Sequence, residues 1–335
     1  MMKRSIVMMM VMGLLMGCNS GLLAEEKAKN EFLSSIANLG KGFLDVFVAF
    51  GDMVSGTLGI KAETKKSDIG KYFIDIEKTM VLVKNKLNTL VAENGNYPKV
   101  KEVVEQFISG ILDKIAEGAK EASKGATTDI AIGNAEQNKD AKPGEVSSVN
   151  ALVKGIKTIV DVVLKDKGSA EVNKTEENER KSVGNLFAKG SANDGTEAQA
   201  AAASASVGAV SGADILQAIS KSGDADTNKG INQVTNAAEI AVAKNDSGTK
   251  TLDAAKKDAV IAGGIALRAM AKDGKFAAKN GEEKSAHAVN GAVASAVNKT
   301  LSILMIAIRN TVDSGLKEIN KALAKVNKKI NLQKR

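Results

Sequence analysis

Thiol and imidazole chemistry rest on two residues in this chain. Cys18 is the only cysteine and His287 the only histidine among 335 residues. An intrachain disulfide is therefore excluded, because it needs a second thiol. A common zinc site is excluded too, because such sites draw several ligands from Cys and His. His287, in "KSAHAVNG" (284–291), reads as a surface or half-buried helix residue. A Ser-His-Asp set drawn around it has no G-x-S-x-G context to supply the nucleophile. "DADTNKG" (224–230) starts like a calcium loop, but Lys229 stands where that loop needs Gly and Thr235 where it needs Glu. It reads as a polar loop. "GKG" (40–42) matches no phosphate-binding motif, and the Gly263-Gly264 pair inside a helical pattern reads as a close-packing device.

Cys18 remains, and its flanks give it a role. Residues 1–17 read "MMKRSIVMMMVMGLLMG". Lys3 and Arg4 are followed by an apolar stretch too short for a bilayer, which needs about 20 such residues. A basic start and a short apolar segment are the pattern of a secretory signal. Leu15-Met16-Gly17-Cys18 resembles the bacterial lipobox, where the thiol takes a diacylglycerol before the signal is cut away. Cleavage then leaves Cys18 first, with its amine open to another acyl chain. The competing reading is a buried thiol in an ordinary N-terminal helix, since free cysteine packs as a small hydrophobe. Position, flanks and uniqueness favour the lipid. No second stretch is read as a membrane span, so the remainder is expected to be soluble.

The rest of the chain must hold whatever the anchor carries. The whole chain has a formal charge of +8, only two prolines and no tryptophan. Such a composition, rich in Ala and Lys, suits helices. Phe32, Ile36, Leu39, Phe43, Phe47, Phe50, Val54 and Leu58 step by three or four residues, which is one face of a helix. A second series, Ile69, Phe73, Ile76, Met80, Val83, Leu87 and Leu90, follows Ser67 as its expected N-cap and stops at "ENGNYP" (93–98). A third runs Val100, Val104, Ile108, Ile111 and Ile115. The longest extends from Val293 through Val297, Leu301, Leu304, Ile308, Val312, Leu316 and Ile319 to Leu323, Val326 and Ile330. Such faces bury against one another as a bundle.

Between about 118 and 290 the chain is richer in Ala, Gly, Ser, Asn, Asp and Lys, and only Phe187 and Phe276 represent the aromatics beyond residue 107. The heavy core is thus expected near the N-terminal end. Helical pieces are expected around Val149–Val163, over 197–220 as one Ala-rich helix, and over 251–274 with Thr251 as cap. The stretches 133–145, 165–180 and 222–230 read as polar surface loops. The C-terminal cations Lys317, Lys321, Lys325, Lys328, Lys329, Lys334 and Arg335 read as a solvated helix face, with attraction to anionic lipid or glycan as the sharper alternative. Nucleic acid is not an expected partner, because stacking aromatics are missing.

Three long strings carry a family resemblance. "EEKAKNEFLSSIANLGKGFLDVFVAFGDMVSGTLGIKAETKKSDIGKYF" (25–73) is similar to the N-terminal framework of the variable large proteins (Vlp) of relapsing-fever Borrelia. "KKDAVIAGGIALRAMAKDGKFAAK" (256–279) resembles the invariable segment shared with the related Vls surface lipoproteins, and "IRNTVDSGLKEINKALAKV" (308–326) resembles their C-terminal helix. The resemblance implies an all-α fold: an elongated helical bundle with N- and C-terminal framework helices near the membrane and variable loops and short helices at the distal end. It implies a non-enzymatic, lipid-anchored antigen of the cell outer membrane, exposed on the surface, evading immunity by antigenic variation. The alternative is an adhesin for host glycosaminoglycans or proteins; an enzyme would have to rely on Asp, Glu or Lys. The implied partners are outer-membrane lipid through acyl chains on Cys18 and host antibodies, with no cofactor. The organisation expected is a signal peptide over 1–17, a tether over 18–30 and one helical domain over 31–335. Within that domain, framework covers 31–117 and 283–335, variable sequence about 118–250, and the shared segment 251–279. Oligomeric state is not legible.

Overall fold

The second apolar series forms a helix for the reason its spacing gives. The computed structural model describes residues 59–93, 98–188, 194–225, 229–244 and 248–333, with positions 27, 30, 31 and 34 standing apart before them. The signal segment, Cys18 and the apolar series from Phe32 to Leu58 lie outside the described residues. Helix α1 covers Lys66–Glu93. Ile69, Phe73, Ile76, Met80, Val83 and Leu87 are all buried on its inner face. Ser67 does not cap it as expected. Its hydroxyl donates to Asp129 across the chain, and the Asp68 carboxylate instead accepts from the Lys65 N–H. Pro98 opens α2 (Pro98–Phe107), a first-turn position where its missing N–H costs nothing.

The third series departs from its expected face at one residue. A π-helical turn, Ile108–Leu112, joins α2 to α3 (Asp113–Ser123). The wider turn adds a residue to the helical repeat. Leu112 therefore takes the core position, and Ile111 is only half-buried.

The middle of the chain holds α4 (Val146–Val163), α5 (Glu177–Ser182) with a 3-10 turn at Val183–Phe187, α6 (Glu197–Ala209), α7 (Gly212–Ser220), α8 (Ala237–Val242) and α9 (Asp258–Met270). α10 (Ser285–Gln333) closes it. Two expectations change here. Residues 197–220 form two helices that meet at 95°, because Ser211 turns extended and caps α7 in a reciprocal box with Asp214. Thr251 does not cap the 251–274 segment. Its hydroxyl donates to Asp253, and the helix starts only at Asp258.

Among the described residues the fold is all-α apart from one two-residue parallel pair, β1 (Glu136–Gln137) on β2 (Ala277–Ala278), in register Glu136↔Ala277. This pairing corrects the reading of 133–145 as a plain surface loop. Ala135 and Ala141 within it are buried, and the Asn134 side chain donates to the Gly274 carbonyl.

The core is continuous from α1 to α10 and is not concentrated near the N-terminus. α9 lies at its centre, packed on α6, α7, α8 and α10; twelve of its thirteen residues are buried. The composition misled because Ala and Gly each bury little area but let backbones approach closely. At the crossing of α3 and α4, a Cβ added to Gly155 would stand 2.3 Å from the Ala122 nitrogen and 2.4 Å from the Gly118 oxygen. In α9, a Cβ on Gly264 would meet Ile240 of α8 at 2.4 Å, which is the close packing expected of that glycine pair.

α10 is also long and apolar enough over Ser285–Ala322 to cross a membrane by length and composition alone, a stretch the sequence reading passed over. More than half of that window is buried inside the protein, against α2, α6, α7 and α9. Val293, Val297, Leu301, Leu304, Ile308, Val312, Leu316 and Ile319 all face the core as their spacing demands. Replacing Gly155 by Val is expected to lower the unfolding free energy by about 1–3 kcal/mol in urea titration, with the native helical circular dichroism retained.

Candidate functional site

Arg268 interrupts the apolar run of α9 and is fully buried. Among the described residues its acceptors are backbone carbonyls, not carboxylates. Its Nε donates to the Lys275 carbonyl at 3.0 Å and its Nη1 to the Ala243 carbonyl at 3.2 Å. The guanidinium lies over Phe187, 5.0 Å from the ring centre, and 6.0 Å from the centre of Phe276. The only two aromatics of the chain's second half thus form one clamp, their rings 5.6 Å apart. Burial depresses the guanidinium pKa to about 9, so it stays charged at neutral pH.

A second buried basic side chain stands near it. Lys66, at the start of α1, is fully buried and donates to the carbonyls of Ala271 at 2.6 Å and Gly274 at 2.7 Å. These carbonyls belong to the turn that ends α9. The backbone around Lys66 is also fixed. Its N–H donates to Ile130, and the Ile132 N–H donates back to Thr64.

The opposite end of α9 is held by a carboxylate. Asp258 accepts from the N–H groups of Lys174 (2.5 Å) and Thr175 (2.9 Å) and from the Thr175 hydroxyl (2.6 Å). Arg180 donates to the Thr175 carbonyl and so fixes the same loop. Burial alone would raise the Asp258 pKa, but these hydrogen bonds outweigh it and hold the carboxyl below the ordinary aspartate range. Lys66, Arg268 and Asp258 were all missed in the sequence. Only Arg268 left a signal, as a charge inside an apolar helical run.

The surface offers little converging chemistry. His287 is exposed on the first turn of α10. It lines a shallow open depression of about 420 Å³ with Gln137, Gly281, Glu283 and Ala286. Among the described residues no group of three His, Cys, Asp or Glu is placed to hold a metal. In the loop that begins like a calcium site, Lys229 pairs with Glu239 at 2.6 Å and Thr235 donates to the same carboxylate. Asp226 and Asn228 lie outside the described residues, as does Cys18. Lys317, Lys321 and Lys325 are exposed, and Lys321 pairs with Glu318 at 2.6 Å. The side chains of Lys328, Lys329, Lys334 and Arg335 are outside the described residues.

Comparison with known proteins places this arrangement. A profile of the Borrelia lipoprotein family matches residues 43–323. Variable large protein 4 of Borrelia hermsii is 61% identical over 334 residues, covering 96% of this chain and 93% of its own. The chain belongs to the variable large protein family of Borrelia lipoproteins. Variable large protein 17 of the same organism is 60% identical over 90% of this chain and 86% of its own. The crystal structure of the Lyme disease variable surface antigen VlsE of Borrelia burgdorferi superposes with a TM-score of 0.70. It shares 36% identity and covers 88% of this chain and 99% of its own. The helical fold read from the sequence is therefore the fold of this lipoprotein family.

In this variable large protein the Asp258 contacts make a measurable contribution. Asp258→Ala leaves three donors without an acceptor, and is expected to cost about 3 kcal/mol at neutral pH. A carboxyl with a depressed folded pKa stabilises above the ordinary aspartate range and loses that contribution as pH falls through its folded pKa. The gap between wild type and Asp258→Ala, followed by urea unfolding, should therefore narrow as pH drops below the ordinary aspartate range.

Proposed function

We propose that this protein is a lipid-anchored, non-enzymatic variable antigen of the outer cell surface, whose exchangeable exposed residues evade host antibodies. The observation that supports it most is divergence without loss of length. Variable large proteins from 61% down to 29% identity still match 90–96% of the chain. A fold that tolerates such change must separate what it buries from what it shows.

This chain has that separation. Lys165–Gly168, Glu171, Asn173, Lys174 and Glu176–Glu179 are exposed, while α9 beside them is nearly all interior. Asn138, Lys139 and Asp140 form another exposed tip. Such positions tolerate substitution because little packing depends on them. Changing them alters the surface an antibody meets and leaves the core in place. We assign the variable role to about 118–250, framework roles to 31–117 and 283–335, and the shared interior segment to 251–279. The buried stretches inside 118–250, such as α8, are expected to vary only among small apolar residues.

Anchoring falls to Cys18, after removal of residues 1–17. One acyl chain binds a membrane only marginally, whereas two or more hold it stably. Neither the His287 depression nor the Arg268 clamp suggests a reaction, so the non-enzymatic reading needs no catalytic residue. The adhesin alternative has no observation in its favour.

Intact cells carrying wild type or Cys18→Ala test this reading. Wild type is expected to enter the detergent phase and to be removed by added protease, while Cys18→Ala stays in the aqueous phase. Protection of wild type in intact cells would refute surface exposure, and unchanged partitioning of Cys18→Ala would refute the anchor.

A further inference from the structure

Lys66 is chemically odd for a framework residue. A lysine side chain is among the least buried of all unless paired, yet this one is fully buried. The charged and titratable groups that face it are Arg268 from α9 and Asp273 from the turn after α9. Asn134, a neutral neighbour from the 128–135 segment, shares the Gly274 carbonyl with it. One of these, Arg268, is itself a fully buried cation.

The turn that Lys66 grips is strained. Asp273 sits at φ 64°, in the left-handed region that is unfavourable for most non-glycine residues. Lys66 binds the carbonyls at the two ends of this turn, Ala271 and Gly274. The same segment continues into Lys275, which accepts from Arg268, then Phe276 of the clamp, then β2. Whatever loosens the turn loosens the aromatic clamp and the β1–β2 pairing behind it.

We propose that Lys66 is a proton-operated latch, whose neutral amine closes α1 onto the Ala271–Gly274 turn and whose protonation beside Arg268 favours opening of residues 271–278. A neutral amine still has two N–H groups for the two carbonyls, so the closed geometry keeps both contacts on deprotonation, although each is weaker. Protonation adds a second charge to a region without a buried counter-ion. Burial first, and then the Arg268 charge, bring the Lys66 pKa down to about 7, against a partial opposing pull from Asp273.

The sign follows from linkage. An open turn exposes Lys66 to water and returns it to the ordinary lysine range. The open state then holds more protons than the closed state between the two pKa values. Opening therefore becomes more frequent as pH falls from about 10 towards 7 and levels off below that.

Hydrogen exchange of the full chain between pH 6 and 9.5, corrected for the intrinsic pH dependence of exchange, tests this. Peptides covering 271–278 are expected to open more often by up to roughly tenfold per pH unit removed between 9.5 and 7, with little change from 7 to 6. Lys66→Met, which keeps a chain of similar length and cannot titrate, should abolish the pH dependence in those peptides alone. If Lys66→Met fails to fold, NMR of wild type carrying 13Cε-lysine, assigned with Lys66→Arg, keeps the test open. One lysine resonance should titrate near neutrality and be missing in Lys66→Arg. A Lys66 resonance that titrates above pH 9, or exchange in 271–278 that stays flat with pH, would overturn the latch.

Discussion

Two buried basic side chains, bonded among the described residues to backbone carbonyls, tie distant parts of this fold together. Lys66 and Arg268 join α1, the end of α9, the Ala243 region and the segment leading into β2. A carboxylate partner would have made either cation an ordinary salt bridge. Carbonyls at a helix C-terminus instead supply partial charges in fixed positions, and the Phe187 and Phe276 rings add their negative faces. The geometry is demanding, since each carbonyl must be presented by a particular turn. Around this lock the apolar packing is close, built largely from Ala, Gly, Val and Ile.

That division explains how a surface antigen can change its outside. Close packing usually makes neighbouring residues interdependent. Here the deepest helix, α9, contacts other helices over almost its whole length, so it answers to the core and not to solvent. The exposed residues of the loops around 138–140 and 165–179 answer mainly to solubility. Ion pairs at the surface, such as Lys154 with Asp224 at 3.8 Å, contribute little to stability and can be exchanged at small cost.

The sequence showed the long helices well, because an amphipathic face repeated over many turns leaves a strong pattern. The eight positions from Val293 to Ile319 are all buried as their spacing implies. It failed where one local event shifted the phase. The π-turn moved the core position from Ile111 to Leu112, and Ser211 split an Ala-rich stretch that reads as continuous helix. It also misjudged the centre of the chain, since small residues look like loop material until their close approach is seen. For the site the record is mixed. Family membership was legible in long strings, and the lipid-acceptor assignment of Cys18 rests on sequence pattern alone. Lys66 was invisible: in "AETKKSDIG" it looks like any exposed lysine. Its burial depends on a turn 205 residues away.

That separation bears on how the molecule assembles. A ribosome delivers α1 early, yet the acceptors for its buried amine arrive only when most of the chain has been made. Until then the first turn of α1 carries a charge with no place to be buried, and its N-terminal end cannot settle into the final structure. Closing so long a loop adds only slowly to the entropic cost, so the contact forms readily once both ends are present. The long-range lysine thus makes completion of the chain a condition for closing its oldest part.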